Sequence, residues 1–292
     1  MIKVDANAIA PKTRARRSAP APDGNRRCKT AWWVAMTLPA PGAGFRWTRE
    51  SWGDALRCDP LAAHAQHVFT SKQLALPAAA SWRAALASVH STPERLMRVK
   101  QVHGNAVRVL KRGHIAADAS AERPEGDAIV SDEPGLALAV MVADCNPILI
   151  ADPKRGAAAA VHAGWRGTCA RIAATAIEVM RREFGSDPRD LVAAIGPSVG
   201  PDDYEVGDTL IDAFASAGHP NGDIDRWFVR SREQLRLDLW TANRDQLVGA
   251  GLRSDTIYLC GLSTVSHPDI LHSYRVAGAA AGRMAGIIVV PT

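Results

Sequence analysis

The chain has 292 residues, 47% of them hydrophobic and 22% charged, a globular balance that excludes a wholly disordered or fibrous protein. Its formal charge is +5, yet residues 1–30 hold eight Lys/Arg against two Asp, a net +6 that leaves −1 for the rest. A nearly neutral body argues against a polyanion-binding surface, so nucleic acid is set aside as a partner.

No apolar run is long enough to cross a bilayer, so no membrane is expected. The five cysteines, Cys28, Cys58, Cys145, Cys169 and Cys260, are odd in number, widely spaced and without a CxxC. That pattern fits a reducing compartment, and a cytoplasmic location is expected. Arg26-Arg27-Cys28-Lys29 followed by Ala31–Met36 imitates a secretory signal, but it lies far from the start and Pro39 and Pro41 interrupt it. Residues 1–43 read as a basic, disordered or irregular tail, and 44–292 as a single folded domain.

Along the chain, Ala79–Val89 is predicted helical, with Trp82, Leu86 and Val89 on one face. Arg98–Leu110 reads as extended through Val99, Val102 and Val107. Leu136–Val142 is a continuous apolar run that suits a strand buried on both faces. Pro147–Ala151 and Ala157–His162 are two more, joined through the turn Asp152-Pro153-Lys154-Arg155-Gly156. Thr168–Phe184 carries helical periodicity and Gly185 ends it. Leu191–Ile195 reads as a strand, Tyr204–Ala217 and Leu237–Ala250 as helices, and Thr256–Cys260 and Met284–Val290 as strands. Strands that alternate with helices, some joined by tight turns, predict a mixed α/β (α+β) sandwich.

Three segments place a metal-binding side chain at the predicted end of an apolar strand: His103 in QVHG, Cys145 in ADCNP and His162 in VHAG. Two imidazoles and a thiolate are three protein ligands, and a catalytic zinc keeps a fourth position open. The competing reading is a small buried cysteine and two satisfied core histidines. Gly164-Trp165-Arg166-Gly167 joins a strand to a helix. Gly164 and Gly167 would let backbone N–H groups approach an anion, and Arg166 adds a planar fork for phosphate or carboxylate. Read alone, the segment is first a plain glycine-flanked turn that starts a helix, and an anion site only beside a metal. Gly278 and Gly282-Arg283 carry a weaker signal of the same kind. Asp144 and Asp127 could each orient a ligand or cap a turn, Tyr274 and Arg275 read as surface residues, and His64 and His67 are too loosely spaced to form a site.

The runs KQVHGNAV, GDAIVSDEPGLALAVMVADCNPILIADP, AAVHAGWRGT, AIGPSVGPDDYEVG, LDLWTANRDQL and HSYRVAGAAAGRMAGIIVV span about Val99 to Val290. Together they resemble the YfiH-like family, whose members are described as multicopper polyphenol oxidoreductases (laccase), purine nucleoside phosphorylases and peptidoglycan editing factors. The resemblance implies mixed β-sheets with helices packed outside, and a catalytic domain over 44–292. It implies a catalytic zinc on His103, Cys145 and His162. The activity it implies is phosphorolysis of adenosine, inosine, guanosine and methylthioadenosine, with adenosine deamination. Purine nucleosides and phosphate are then the partners; the phosphate would fall to Arg166, Gly164 and Gly167, the anion group read above from the residues themselves, and a monomer or weak homodimer is expected.

Three other classes compete. A cysteine hydrolase editing peptidoglycan precursors would use Cys145 as nucleophile and His162 as base. A copper polyphenol oxidase would need His-x-His pairs, and none of the nine histidines forms one, so zinc is favoured over copper. A non-catalytic binding protein would keep a closed site or none. The chain also departs from the family pattern: Lys72 ends a segment that lacks the family's glycines, Asp203 and Ser263 replace two cysteines, and Leu271 and His272 replace two aromatics.

Overall fold

The structure is a computed structural model that describes residues 37–113, 123–231 and 234–292. Of the tail expected over 1–43, residues 1–36 therefore lie outside the described residues. Residues Leu38–Thr292 cluster as one compact unit. Its first residues already belong to the body: Gly42 donates its N–H to the Cys260 carbonyl, and the Trp47 indole donates to the Pro39 carbonyl at 2.8 Å.

The elements run β1 (Phe45–Glu50), β2 (Gly53–Cys58), α1 (Asp59–Ala62), β3 (His67–Thr70), α2 (Ala79–Ala87), β4 (Leu96–Arg98), β5 (Val107–Leu110) and β6 (Ala128–Ser131). They continue with β7 (Ala137–Val142), β8 (Asn146–Asp152), β9 (Ala157–Ala163), α3 (Trp165–Cys169), α4 (Ile172–Phe184) and β10 (Val192–Ile195). Then follow β11 (Glu205–Val206), α5 (Thr209–Ser216), α6 (Asn221–Trp227), β12 (Phe228–Ser231), β13 (Gln234–Leu237), α7 (Leu239–Gly249), β14 (Ile257–Leu259), α8 (Tyr274–Ala277) and β15 (Met284–Val289).

Two six-stranded mixed sheets face each other, in the orders β1-β2-β3-β15-β7-β4 and β14-β10-β8-β9-β6-β5. Their inner faces share one apolar core, in which Leu138, Val140 and Ile288 of the first sheet meet Ile129, Leu149 and Ala160 of the second. Outside the second sheet, α4 lays Ile172, Ala176, Ile177 and Met180 over Val130, Ile148 and Val161, and α7 adds Leu247. Outside the first sheet, α2 presents Trp82, Ala85 and Leu86 to Val68, Ala139 and Ile287. The order helix, sheet, sheet, helix explains why β8 and β9 are buried at every residue and read as unbroken apolar runs. A small third sheet, β11-β13-β12, packs with α5 and α6 around Phe214 and Trp227.

Several expected elements are divided. Arg98–Leu110 is not one extended stretch, because residues between β4 and β5 form a loop in which His103 has φ 60°. Thr168–Phe184 is not one helix: α3 already begins at Trp165, and Arg171 at φ 59° separates it from α4. Tyr204–Ala217 begins as strand β11 before α5, and Leu237 closes β13, so α7 starts at Leu239. Gly185 does end α4, at φ 67°, a conformation that costs glycine least. Among the described residues no helix is long and apolar enough to cross a membrane.

Candidate metal centre

The strand pair β8–β9 builds the floor of the site. Asn146 pairs with Ala163 and Pro147 with His162, so Cys145, one residue before β8, sits beside the end of β9. Of the three expected strand-end ligands, only His162 lies within a strand; Cys145 lies in the turn before β8 and His103 in the loop after β4. Asp144 likewise belongs to that turn, at φ 85°, and does not continue the alternation of a strand. The ligand atoms of His103, Cys145 and His162 nevertheless all lie within 4.8 Å of one another. The two imidazole rings meet edge to face, with centroids 4.8 Å apart.

What brings His103 there is Asp127, a fully buried residue just before β6. Its carboxylate accepts the backbone N–H groups of Val102, His103 and Gly104 at 3.3, 2.9 and 2.7 Å. Three donors on one carboxylate bend the loop and hold it against β6. The same carboxylate accepts from His162 Nδ1 at 2.8 Å. A carboxylate in this setting only accepts, so Nδ1 carries the hydrogen and Nε2 is left for a ligand. The Gln101 side chain locks the start of the loop through a paired contact with the Met141 backbone, at 2.7 and 2.8 Å.

Glycine at 164 is required by close approach. A Cβ there would stand 2.7 Å from Cys145 Sγ and 3.3 Å from His103 Cδ2. Gly167 is similarly confined, with a Cβ falling 3.1 Å from the Gly104 carbonyl. Gly164 precedes α3 in an extended conformation (φ −81°, ψ 176°). Arg166 is exposed on α3, its guanidinium carbon 4.4 Å over the Trp165 ring.

The electrostatics bind the three ligands into a unit. Burial opposes ionisation of the Cys145 thiol, but the His162 charge and hydrogen bonds from both histidines outweigh it and bring the thiol below its ordinary range. Burial likewise opposes a proton on His162, and the Cys145 thiolate followed by Asp127 restores it, raising this imidazole. Burial would raise Asp127, yet the His162 hydrogen bond and the Gly104 and His103 amides hold its carboxyl low. Two imidazole nitrogens, one readily ionised thiol, a carboxylate behind one imidazole and a cradle that a Cβ would fill suit a borderline-soft metal such as zinc.

Residues set aside in the sequence prove to adjoin the site. Asp144 accepts from the Thr264 hydroxyl at 2.6 Å and from the Arg275 N–H at 2.7 Å, tying the start of α8 to the turn that carries Cys145. The Arg275 guanidinium lies 4.8 Å over the Tyr204 ring and donates to the Glu205 carbonyl. Tyr204 carried no signal of its own, standing inside a stretch read as helix; the family run containing it was the available hint. Asp203 and Ser263, both departures from the family pattern, touch each other, the Ser263 hydroxyl donating to the Asp203 carboxylate. His67 is a fully buried core residue that accepts the Cys58 N–H, and among the described residues it joins no metal-binding group with His64. Tyr274 is exposed, Gly278 follows α8 at φ 57°, and Gly282 packs directly against the His272 ring.

A double β-sandwich with a His/Cys/His cluster over the ends of adjacent strands defines the class, and comparison with known proteins places the chain within it. Residues 76–291 match the family described as "Multi-copper polyphenol oxidoreductase laccase", and the chain belongs to that family. It is 37% identical over 204 residues to "Purine nucleoside phosphorylase" of Bacteroides thetaiotaomicron, covering 68% of this chain and 74% of that one. It is 38% identical over 167 residues to "Adenosine deaminase RL5" of an unknown prokaryotic organism, covering 56% of this chain and 62% of that one. Among solved structures, YlmD from Geobacillus stearothermophilus superposes with a TM-score of 0.73 at 27% identity, over 84% of this chain and 99% of that one.

Proposed function

We propose that the chain is a zinc-dependent purine nucleoside phosphorylase acting on adenosine, inosine, guanosine and methylthioadenosine, and that it also deaminates adenosine. The observation that carries this reading is the convergence of His103, Cys145 and His162 within 4.8 Å, with the second nitrogen of His162 fixed by Asp127. Relatives that carry the names phosphorylase and deaminase support the substrate class. His103, Cys145 and His162 would hold the zinc, which supplies a Lewis acid and keeps the thiol ionised when bound. Asp127 orients His162 and the His103 loop. Arg166, with the backbone at Gly164 and Gly167, holds phosphate on the same side as His162. The catalytic unit of this reading is Leu38–Thr292, working in the cytoplasm as a monomer or weak homodimer.

One observation favours a second reading. Cys145, His162 and Asp127 form a linked series of nucleophile, base and orienting carboxylate, as a cysteine hydrolase would need. Protein purified without added metal separates the two. The phosphorylase reading expects about one zinc per chain, ribose 1-phosphate from inosine and phosphate, and loss of turnover on chelation. Ammonia release from adenosine without phosphate tests the deaminase activity. A metal-free preparation that stays active and is inactivated by iodoacetamide would establish the hydrolase instead.

A further inference from the structure

The phosphorylase reading leaves one chemical need unmet. When the bond between C1′ and N9 breaks, its electron pair goes to the purine, and that developing negative charge needs a hydrogen-bond donor. Asp127 is committed to four donors, and His162 Nδ1 is committed to Asp127. Arg166 is assigned to the phosphate. The donor must stand near the metal centre, on a side that these groups do not occupy.

Tyr204 meets that description. Among the described residues no hydrogen bond engages its hydroxyl, although its carbonyl accepts from the Leu237 N–H. Arg275, which stacks on the ring, and Val199, five residues before Tyr204, both donate backbone N–H groups to Asp144, the neighbour of Cys145, so the tyrosine is anchored on the Cys145 side of the site. Its ring is fixed in place. Arg275 stacks on one face at 4.8 Å, and Arg275 is itself held by the Glu205 carbonyl and, through its backbone, by Asp144 next to Cys145. Tyr204 and Trp165, the ring under Arg166, pack against the same apolar cluster. Two arginine–aromatic stacks thus adjoin the centre, and only the tyrosine brings a hydroxyl.

We propose that the Tyr204 hydroxyl is the catalytic donor to the departing purine, with Arg275 as the residue that positions it. This rests on the phosphorylase reading. In the step, an oxygen of hydrogen phosphate bonds to C1′ as the C1′–N9 bond breaks. The hydroxyl proton of the phosphate ends on the free base, so nucleoside and phosphate give ribose 1-phosphate and purine with nothing left over. Tyr204 donates a hydrogen bond to a base nitrogen and lowers the barrier without being consumed. Burial, then the neighbouring Cys145 and Asp144 charges, raises the phenol against the pull of Arg275 and Arg166, so it remains a donor at neutral pH.

Tyr204→Phe removes the hydroxyl and keeps the ring under Arg275. The test compares inosine with 7-methylguanosine, whose base already carries a positive charge and leaves without a donor. For inosine, kcat is expected to fall about 100-fold, with metal content, thermal midpoint and KM for phosphate unchanged. For 7-methylguanosine the fall is expected to stay within about threefold, because the donor contributes little there. Equal losses on both nucleosides, or no loss on inosine, overturn the donor role while the phosphorylase reading stands. Wild-type protein loaded with zinc that turns over neither nucleoside overturns that reading, and the donor role with it.

Discussion

Asp127 and His162 are joined twice: the carboxylate accepts from the imidazole Nδ1 at 2.8 Å, and the Asp127 carbonyl accepts the His162 backbone N–H at 2.7 Å. One residue therefore sets both the position of the ligand strand and the direction in which the ring faces. Because the same carboxylate gathers the His103 loop, it couples two ligands that are distant in sequence.

Asp127→Asn tests this coupling. The amide keeps the shape but turns one acceptor oxygen into a donor, which opposes the Val102, His103 and Gly104 amides and His162. Metal affinity is expected to fall about 10- to 100-fold, as read by competition with a chromophoric chelator. Unchanged affinity would show that His103 and His162 find their places without the carboxylate.

Gly164→Ala tests the cradle. The added methyl would stand 2.7 Å from Cys145 Sγ, a separation that no ordinary contact tolerates. Either the thiol leaves its position or the backbone at the end of β9 moves, and in both cases the three ligand atoms separate. Zinc content after dialysis is expected to drop well below one per chain, while circular dichroism keeps the wild-type sheet signal. Full zinc occupancy would mean that the turn carrying Cys145 yields cheaply.

Much of the core was legible because strands covered on both faces read as unbroken apolar runs, as Asn146–Asp152 and Ala157–Ala163 do. The divided elements were not legible, because their causes are distant. Val99, Val102 and Val107 carry the side chains of a strand, but Asp127 takes three backbone donors from the loop between them, and no local pattern records that. Arg171 interrupts the helical stretch at φ 59°, where a sequence signal would be glycine or asparagine. β1 escaped because Phe45–Glu50, at a sheet edge, has only two aromatic residues among polar and charged ones and forms no apolar run. The site divides in the same way. His103, Cys145 and His162 stand in recognisable motifs, whereas Tyr204 and Arg275 acquire their meaning only when Asp144 ties α8 to the Cys145 turn.

His67 gives a pH dependence of stability that is independent of the metal centre. It is fully buried, and its Nε2 accepts the Cys58 N–H while Nδ1 donates to the Ala65 carbonyl, which suits only the neutral ring. Burial lowers its pKa from 6.5 to about 4. Below about pH 6.5 the unfolded chain takes up a proton that the folded chain refuses, so stability falls as pH drops towards 4 and levels off below it. The loss attributable to this residue is on the order of 3 kcal/mol. Urea unfolding at several pH values, compared with His67→Gln, checks this: the variant is expected to be less stable near neutrality but to lose less on acidification. Parallel curves for the two proteins would remove His67 as the cause.

Arg166 carries the phosphate half of the proposed reaction. It lies two residues after Gly164, whose neighbours are Cys145 Sγ and the His103 ring, and it is exposed with its guanidinium over Trp165. Stacking leaves the in-plane N–H groups of the fork free to meet two oxygens of one phosphate. Arg166→Ala removes charge-assisted hydrogen bonds of about 1.5–3 kcal/mol, so KM for phosphate is expected to rise roughly 10- to 100-fold. Arg166→Lys keeps the charge without the planar fork and should fall between the two. Zinc content is expected to stay at the wild-type level in both, because no ligand atom is touched. Initial rates at limiting and saturating phosphate, with inosine held constant, give the decisive comparison. Wild-type turnover by Arg166→Ala at limiting phosphate would make Arg166 a structural residue and leave the phosphate to be held by other groups.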